Sequence, residues 1–190
     1  MSVRRGSVRR ITVVGEEILS RPCREVTEFG TAELSTLIDD MFVTMYVAEG
    51  AGLAANQVGV DLRLFVYDCP DDDGIRHVGH IVNPVPDQPD PGSRRLVDDV
   101  EGCLSVPGAV MAVPRTDRAV VRGFDQDGNP LVVEGMGYFA RCLQHESDHL
   151  AGHTYLDRLS KRDRKDALRQ MEDRREEVFA QRALRAADLS

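Results

Sequence analysis

Residues 145–149, His-Glu-Ser-Asp-His, have types and spacing suited to holding a metal ion and moving a proton. On a helix, positions four apart are offset by about 40° around the axis, so two imidazoles stand one turn apart on one face. Glu146 lies about 100° round from His145 and can reach a water on the ion without ligating it, which suits a general base. Two histidines do not complete a site, and the third ligand has candidates on both sides. Downstream, His153 follows the helix stop Gly152, and Asp157, Glu172, Asp173, Glu176 and Glu177 sit in charged, helix-like sequence. Protease versions of the pattern usually take such a downstream glutamate or histidine. Upstream, Cys103 lies in a Gly/Pro-framed turn, Glu101 to Gly108. A thiolate is a strong ligand for a borderline divalent metal, which in turn keeps it deprotonated.

Three segments, in order, resemble the peptide deformylases. Gly50-Ala51-Gly52-Leu53-Ala54-Ala55-Asn56-Gln57 resembles the family's Gly-x-Gly-Leu-Ala-Ala-x-Gln segment. Glu101 to Ser105 matches Glu-Gly-Cys-x-Ser, and Gln144 to Gly152 matches Gln-His-Glu-x-Asp-His-x-x-Gly. The resemblance covers residues 11–160. It implies removal of the N-terminal formyl group from formylmethionyl nascent polypeptides. It places the metal on Cys103, His145 and His149, leaves a fourth position for water, and makes Glu146 the general acid/base. Three protein ligands with one open position is the pattern of a catalytic rather than a structural site. The resemblance further implies the Gln57 side-chain amide and the Leu104 backbone N–H as oxyanion donors. The backbones around Ala51, Gly52 and Gly102 would bind the peptide in strand-like fashion. The cofactor it implies is one divalent ion: Fe2+ in the cell, with Zn2+, Ni2+ or Co2+ able to replace it on purification.

Two positions depart from commoner family sequences. Ala51 replaces a larger aliphatic residue between the two glycines, which would enlarge the pocket near the substrate's first side chain. Asn56 stands where proline or a small polar residue is frequent. Asp148 shares the ligands' helix turn and is open to two readings, a partner that orients a ligand or an exposed acid; it and Arg115 stay outside the candidate site. Three rivals remain. A zinc endopeptidase needs a downstream third ligand and no role for Cys103. A non-enzymatic metal module needs a fourth protein ligand, and none stands out. Within the family, a paralogue could confer inhibitor resistance or act on a small metabolite.

The elements that must position these residues are legible in outline. Leu34, Leu37, Ile38, Met41, Phe42 and Met45 have the spacing of an amphipathic helix over residues 31–48, ended by Gly50-Ala51-Gly52. Leu62, Leu64 and Val66 predict a strand to Asp68, and residues 77–84 one that ends at Asn83 before Pro84. DCPDDDG and residues 86–93 are turn-rich loops. Strands at 117–124 and 131–136 are joined by a hairpin containing Asp127-Gly128. Residues 137–151 predict the metal-binding helix, with Phe139, Cys142, Leu143 and Leu150 inward. From Lys161 a charged helix carries one thin apolar stripe, Leu168, Met171, Val178 and Leu184. The expected class is α+β, one domain with mixed or antiparallel strands around a central metal-binding helix and a C-terminal helix. Its parts are a flexible basic tail (1–10), a catalytic domain (11–160) and a charged C-terminal helix and tail (161–190).

The totals narrow the function classes. At 190 residues the chain suits one packed domain. Cys23, Cys69, Cys103 and Cys142 are far apart without an export signal, which predicts reduced thiols and a cytoplasmic protein without membrane association. The net charge of −8 argues against non-specific nucleic-acid binding by the whole body. Residues 160–185, however, carry nine basic and six acidic side chains. That surplus leaves two readings of the C-terminal helix open, docking on ribosomal RNA or a solvated helix packed on the domain by one stripe, while the expected substrates are formylmethionyl nascent chains.

Overall fold

The computed structural model describes residues 6–92 and 94–189. Helix α1 (Ala32–Val47) is followed by strands β1 (Gly52–Ala54), β2 (Leu64–Pro70), β3 (Arg76–Pro86), β4 (Leu96–Cys103), β5 (Val106–Thr116), β6 (Arg118–Phe124) and β7 (Pro130–Met136). Helices α2 (Gly137–Leu150) and α3 (Lys161–Ala187) complete the chain. Every strand pairing among the described residues is antiparallel. Five strands form one sheet in the order β1-β2-β3-β6-β7, and β4 and β5 form a separate ribbon. The α+β class predicted from the sequence is the one found.

Strand β2 explains the layering. Leu64 and Val66 join Leu37, Met41 and Met45 of α1 in one core cluster. Phe65, Tyr67 and Cys69 join Phe139, Leu143 and Leu150 of α2 in another. Successive strand residues point to opposite faces, so an unbroken apolar run puts a helix on each side of the sheet. Burying each such Leu, Met or Phe fully is worth about 1.5–3 kcal/mol. A third cluster joins Val106, Ala109 and Val113 of β5 to Tyr155, Leu156 and, on α3, Ala167 and Met171.

Local signals differ in instructive ways. Thr31 caps α1 by accepting the Leu34 N–H at 3.1 Å. The left-handed residue that ends α1 is Glu49, at φ 56°, rather than either glycine after it. Strand β3 passes Pro84 because Asn83, also left-handed, makes a bulge. The Asn83 side chain bonds both the N–H and the carbonyl of Val26, at 2.8 and 2.9 Å. Helix α2 has no capping side chain of its own; Asp72 in the DCPDDDG loop accepts the Tyr138 N–H at 2.9 Å. That loop therefore anchors the start of the helix that carries the histidines.

The ribbon was read from sequence only as a turn around Cys103. It runs in register from Leu96 opposite Thr116 to Gly102 opposite Val110, then bulges at Cys103. Such a bulge re-aims a side chain, here the one thiol beside the two histidines. Of the basic stretch 1–10, residues 1–5 lie outside the described residues. Ser7 and Arg9 donate backbone N–H groups to Asp40 Oδ1 (2.7 Å) and Thr44 Oγ1 (2.9 Å), which ties this segment along α1. All four cysteines are free thiols. No helix among the described residues is long and apolar enough to cross a membrane.

Candidate metal centre

Helix α2 places His145 and His149 one turn apart, and the ribbon brings Cys103 to them. Cys103 Sγ lies 3.2 Å from His149 Nε2, which lies 3.1 Å from His145 Nε2. The three ligand atoms fall within 4.8 Å of one another, close to what atoms sharing one ion at about 2.0–2.3 Å require. Burial opposes charge on the Cys103 thiol. The His149 charge and the hydrogen bond with His145 outweigh it and bring its pKa down to about 5. Thiolate is thus the favoured form, the one that binds metal. One thiolate and two imidazoles fit a borderline divalent ion.

Glu101, two residues before the cysteine, is buried and orients His145. Its Oε1 lies 2.5 Å from His145 Nδ1 and also accepts from Arg115 Nη2 at 2.5 Å. Its Oε2 accepts from Arg115 Nε and Arg141 Nη1, both at 3.0 Å. Burial alone would raise its pKa, but the His145 and Arg115 hydrogen bonds hold the carboxyl far below the usual range. A permanent carboxylate on Nδ1 leaves the Nε2 lone pair for the metal, the usual carboxylate–histidine arrangement. Arg115 also donates to Asp148 Oδ2 at 2.6 Å, and Arg158 brackets Asp148 with two bonds of 2.7 Å. Among the described residues, the Asp148 carboxylate is therefore linked to His145 through Arg115 and Glu101.

The reacting side is a cavity of about 370 Å³ bounded by Ala51, Gly52, Gln57, Cys103, Leu104 and Glu146, among others. Glu146 is buried, and its Oε2 has no hydrogen-bond partner among the described residues. Burial, with the charges of Cys103 and Glu101, raises its pKa to about 7 against the opposing imidazoles. Such a group can take and return a proton near neutrality. The Gln57 carbonyl accepts the Ala54 N–H at 2.9 Å, which turns its amide towards Ser105 Oγ (3.1 Å) and Cys103 Sγ (3.7 Å). The glycines of GAGLAANQ make room for neighbours. A Cβ on Gly52 would lie 2.5 Å from Glu146 Oε1, and one on Gly50 would lie 2.6 Å from Leu104 Cδ1.

A family model described as polypeptide deformylase matches residues 8–165. The chain belongs to this family. Peptide deformylase 1 of Streptomyces avermitilis is 60% identical over 167 residues, 88% of this chain and 77% of that protein. Peptide deformylase 2 of Streptomyces coelicolor is 50% identical over 173 residues, 87% of this chain and 90% of that one. A peptide deformylase from Legionella pneumophila superposes with TM-score 0.80 at 40% identity, over 92% of this chain and 98% of that one. The Ehrlichia chaffeensis enzyme in complex with actinonin gives TM-score 0.78 at 38% identity, over 88% and 98%. As a deformylase by family, the chain is a metal-dependent hydrolase.

Of the residues the resemblance implies, Gln57, Cys103, Leu104, His145 and Glu146 line one cavity with Ala51, Gly52 and Gly102, and His149 lies against Cys103. The downstream alternatives do not converge. His153 is exposed and faces Asp157 at 3.7 Å, and Glu172, Asp173, Glu176 and Glu177 are exposed along α3. That removes the third ligand the endopeptidase reading needs. Sequence reasoning did not single out Arg141, which binds Glu101 and the carbonyls of Val113 (2.7 Å) and Val97 (2.8 Å). Its one local signal was its place one turn before His145, on the same face of α2.

Proposed function

We propose that this deformylase hydrolyses the N-formyl group of formylmethionyl nascent chains at Cys103, His145 and His149, with Glu146 as the proton carrier. The observation that supports this most is a thiol and two imidazoles within reach of one point, beside a buried carboxylate that borders an open cavity and whose Oε2 has no partner among the described residues. A divalent ion held there supplies Lewis acidity, lowering the pKa of water and polarising a carbonyl. Glu146 takes the attacking water's proton and returns it to the leaving amine. The Gln57 amide and the Leu104 N–H, both from residues that line the cavity, would be the oxyanion donors, and losing one such donor costs about 10²–10³ in turnover. Strand β1 is an edge of its sheet, so the backbone at Ala51 and Gly52, with Gly102 of β4 opposite, can take an extended peptide as an added strand.

Formate release from a formyl-methionyl peptide tests this reading. Glu146→Gln is expected to keep the metal and lose about 10²–10⁴ in kcat. Retention of full turnover would sink the assignment of Glu146. Cys103→Ala is expected to lose the metal.

The native ion in this reading is ferrous iron, as the family resemblance implies, although a thiolate and two imidazoles by themselves suit zinc. Anaerobically purified protein should be active with iron; activity with zinc and none with iron would refute it. Action in the cytoplasm follows from the nascent-chain substrate. Docking on the ribosome rests on Lys161, Arg162 and Lys165, exposed at the start of α3. Reversing these three charges should weaken ribosome co-sedimentation, most visibly at low salt, and leave hydrolysis intact. The small side chain of Ala51 in the cavity wall predicts tolerance of first side chains bulkier than methionine.

A further inference from the structure

Helix α3 does more than cover the third core cluster. Its C-terminal half reaches the mouth of the metal cavity. There Arg182 lines the wall and donates from Nη2 to the Leu104 carbonyl at 3.0 Å. The peptide that carries this carbonyl joins Leu104 to Ser105, and its N–H donates to Cys103 Sγ at 3.4 Å. A guanidinium on the carbonyl and a sulfur on the N–H are therefore the two ends of one polarised amide. Donors and acceptors aligned this way strengthen one another, and the charged partner gives the stronger bond.

The helix is held well enough to set this contact. Ser160 caps it through the Asp163 N–H at 3.1 Å, and Ala167 and Met171 are buried under it. Gln170 accepts the Val110 N–H at 3.1 Å, and Arg185 pairs with Glu49 at 2.7 Å. Gly108 lies so close that a Cβ there would be 2.6 Å from Arg174 Cβ.

We propose that Arg182 is a positioning residue for the metal centre: through the Leu104–Ser105 peptide it locks the Cys103 turn and draws electron density off the sulfur. It acts through that peptide and is not among the residues that would hold the metal. The proposal deepens the functional reading above and rests on Cys103 being a ligand.

The probe is the cobalt-substituted protein, whose sulfur-to-cobalt charge-transfer absorption reports electron density on the ligand sulfur. Arg182→Met removes the donor and suits a helix. It should move the band to longer wavelength and lower kcat for a formyl-methionyl peptide roughly tenfold, with KM little changed. Arg182→Lys, which keeps a cationic donor, should restore most of both. Arg185→Met breaks a different contact of the same helix and should leave the band in place. An unmoved band in Arg182→Met, a loss confined to KM, or an equal shift in Arg185→Met would each overturn the proposal. Absence of the band from the cobalt-loaded protein with Arg182 intact would instead mean that Cys103 is no ligand, and the reading beneath the proposal would fall with it.

Discussion

Glu101 has a burden that its position in a short motif does not reveal. Buried, it accepts from Arg115 and Arg141 and pairs with His145 Nδ1, so its charge is balanced from three directions. Removing one partner of such a group leaves the others uncompensated and typically costs about 3–5 kcal/mol. Glu101→Gln should show that loss in urea unfolding and also weaken metal binding about 10- to 100-fold. Unchanged affinity would mean that His145 does not need the carboxylate. Gly52 makes the complementary point. Its missing Cβ is the space Glu146 occupies, so Gly52→Ala should displace the carboxylate and lower turnover about 10²-fold or more. Wild-type formate release from that variant would show that the contact relaxes at no functional cost. Both residues sit in segments whose importance the sequence announced. Their physical reasons, a balanced buried charge and a steric allowance, exist only once distant parts of the chain meet.

At the scale of elements, the two helices over the sheet were readable because their apolar residues recur at 3.6-residue spacing. The β4–β5 ribbon was not. Asp98, Asp99 and Glu101 fall in one strand and Pro107, Gly108 and Pro114 in the other, and these types signal loops. The ribbon forms because its inner face is covered by α3 and by Tyr155 and Leu156, while the acids face solvent or, at Glu101, the arginines. Helix α3 was legible as a helix packed through one stripe, but the packed face was not. Its buried face is Ala167 and Met171, whereas Leu168 and Leu184 of the expected stripe are exposed. Met171→Ala should cost about 2–3 kcal/mol in denaturant unfolding. A negligible change would mean that α3 docks through its polar contacts alone.

At the scale of the molecule, the metal would tie two separate parts together, since one ligand comes from the ribbon and two from α2. A ligand that binds only the folded state at about 1,000 times its Kd adds about 4 kcal/mol. For a domain of this size each kcal/mol is about 2–4 °C. Removing the ion with a chelator should therefore lower the melting temperature by about 10 °C, and adding back iron or zinc should restore it. Scanning calorimetry with and without chelator is the measurement, and coincident transitions would argue against an ion that bridges ribbon and helix.

By itself the sequence determined what depends on near neighbours: two imidazoles and a carboxylate on one helical turn, the helices flanking a sheet, and motifs specific enough to resemble one family. Spacing alone left the third ligand open among Cys103, His153 and several downstream acids, and only the family resemblance named Cys103, because spacing along the chain says nothing about distance across it. Tertiary structure brings Cys103 within ligand distance of the two histidines by packing the β4–β5 ribbon against α2, and turns His153 to solvent. It also decided that Glu101 is a buried hub and that Arg182 of the last helix reaches the cavity. Periodicity constrains a side chain relative to its own element, whereas burial and convergence are set by how three separate clusters close around the sheet and ribbon.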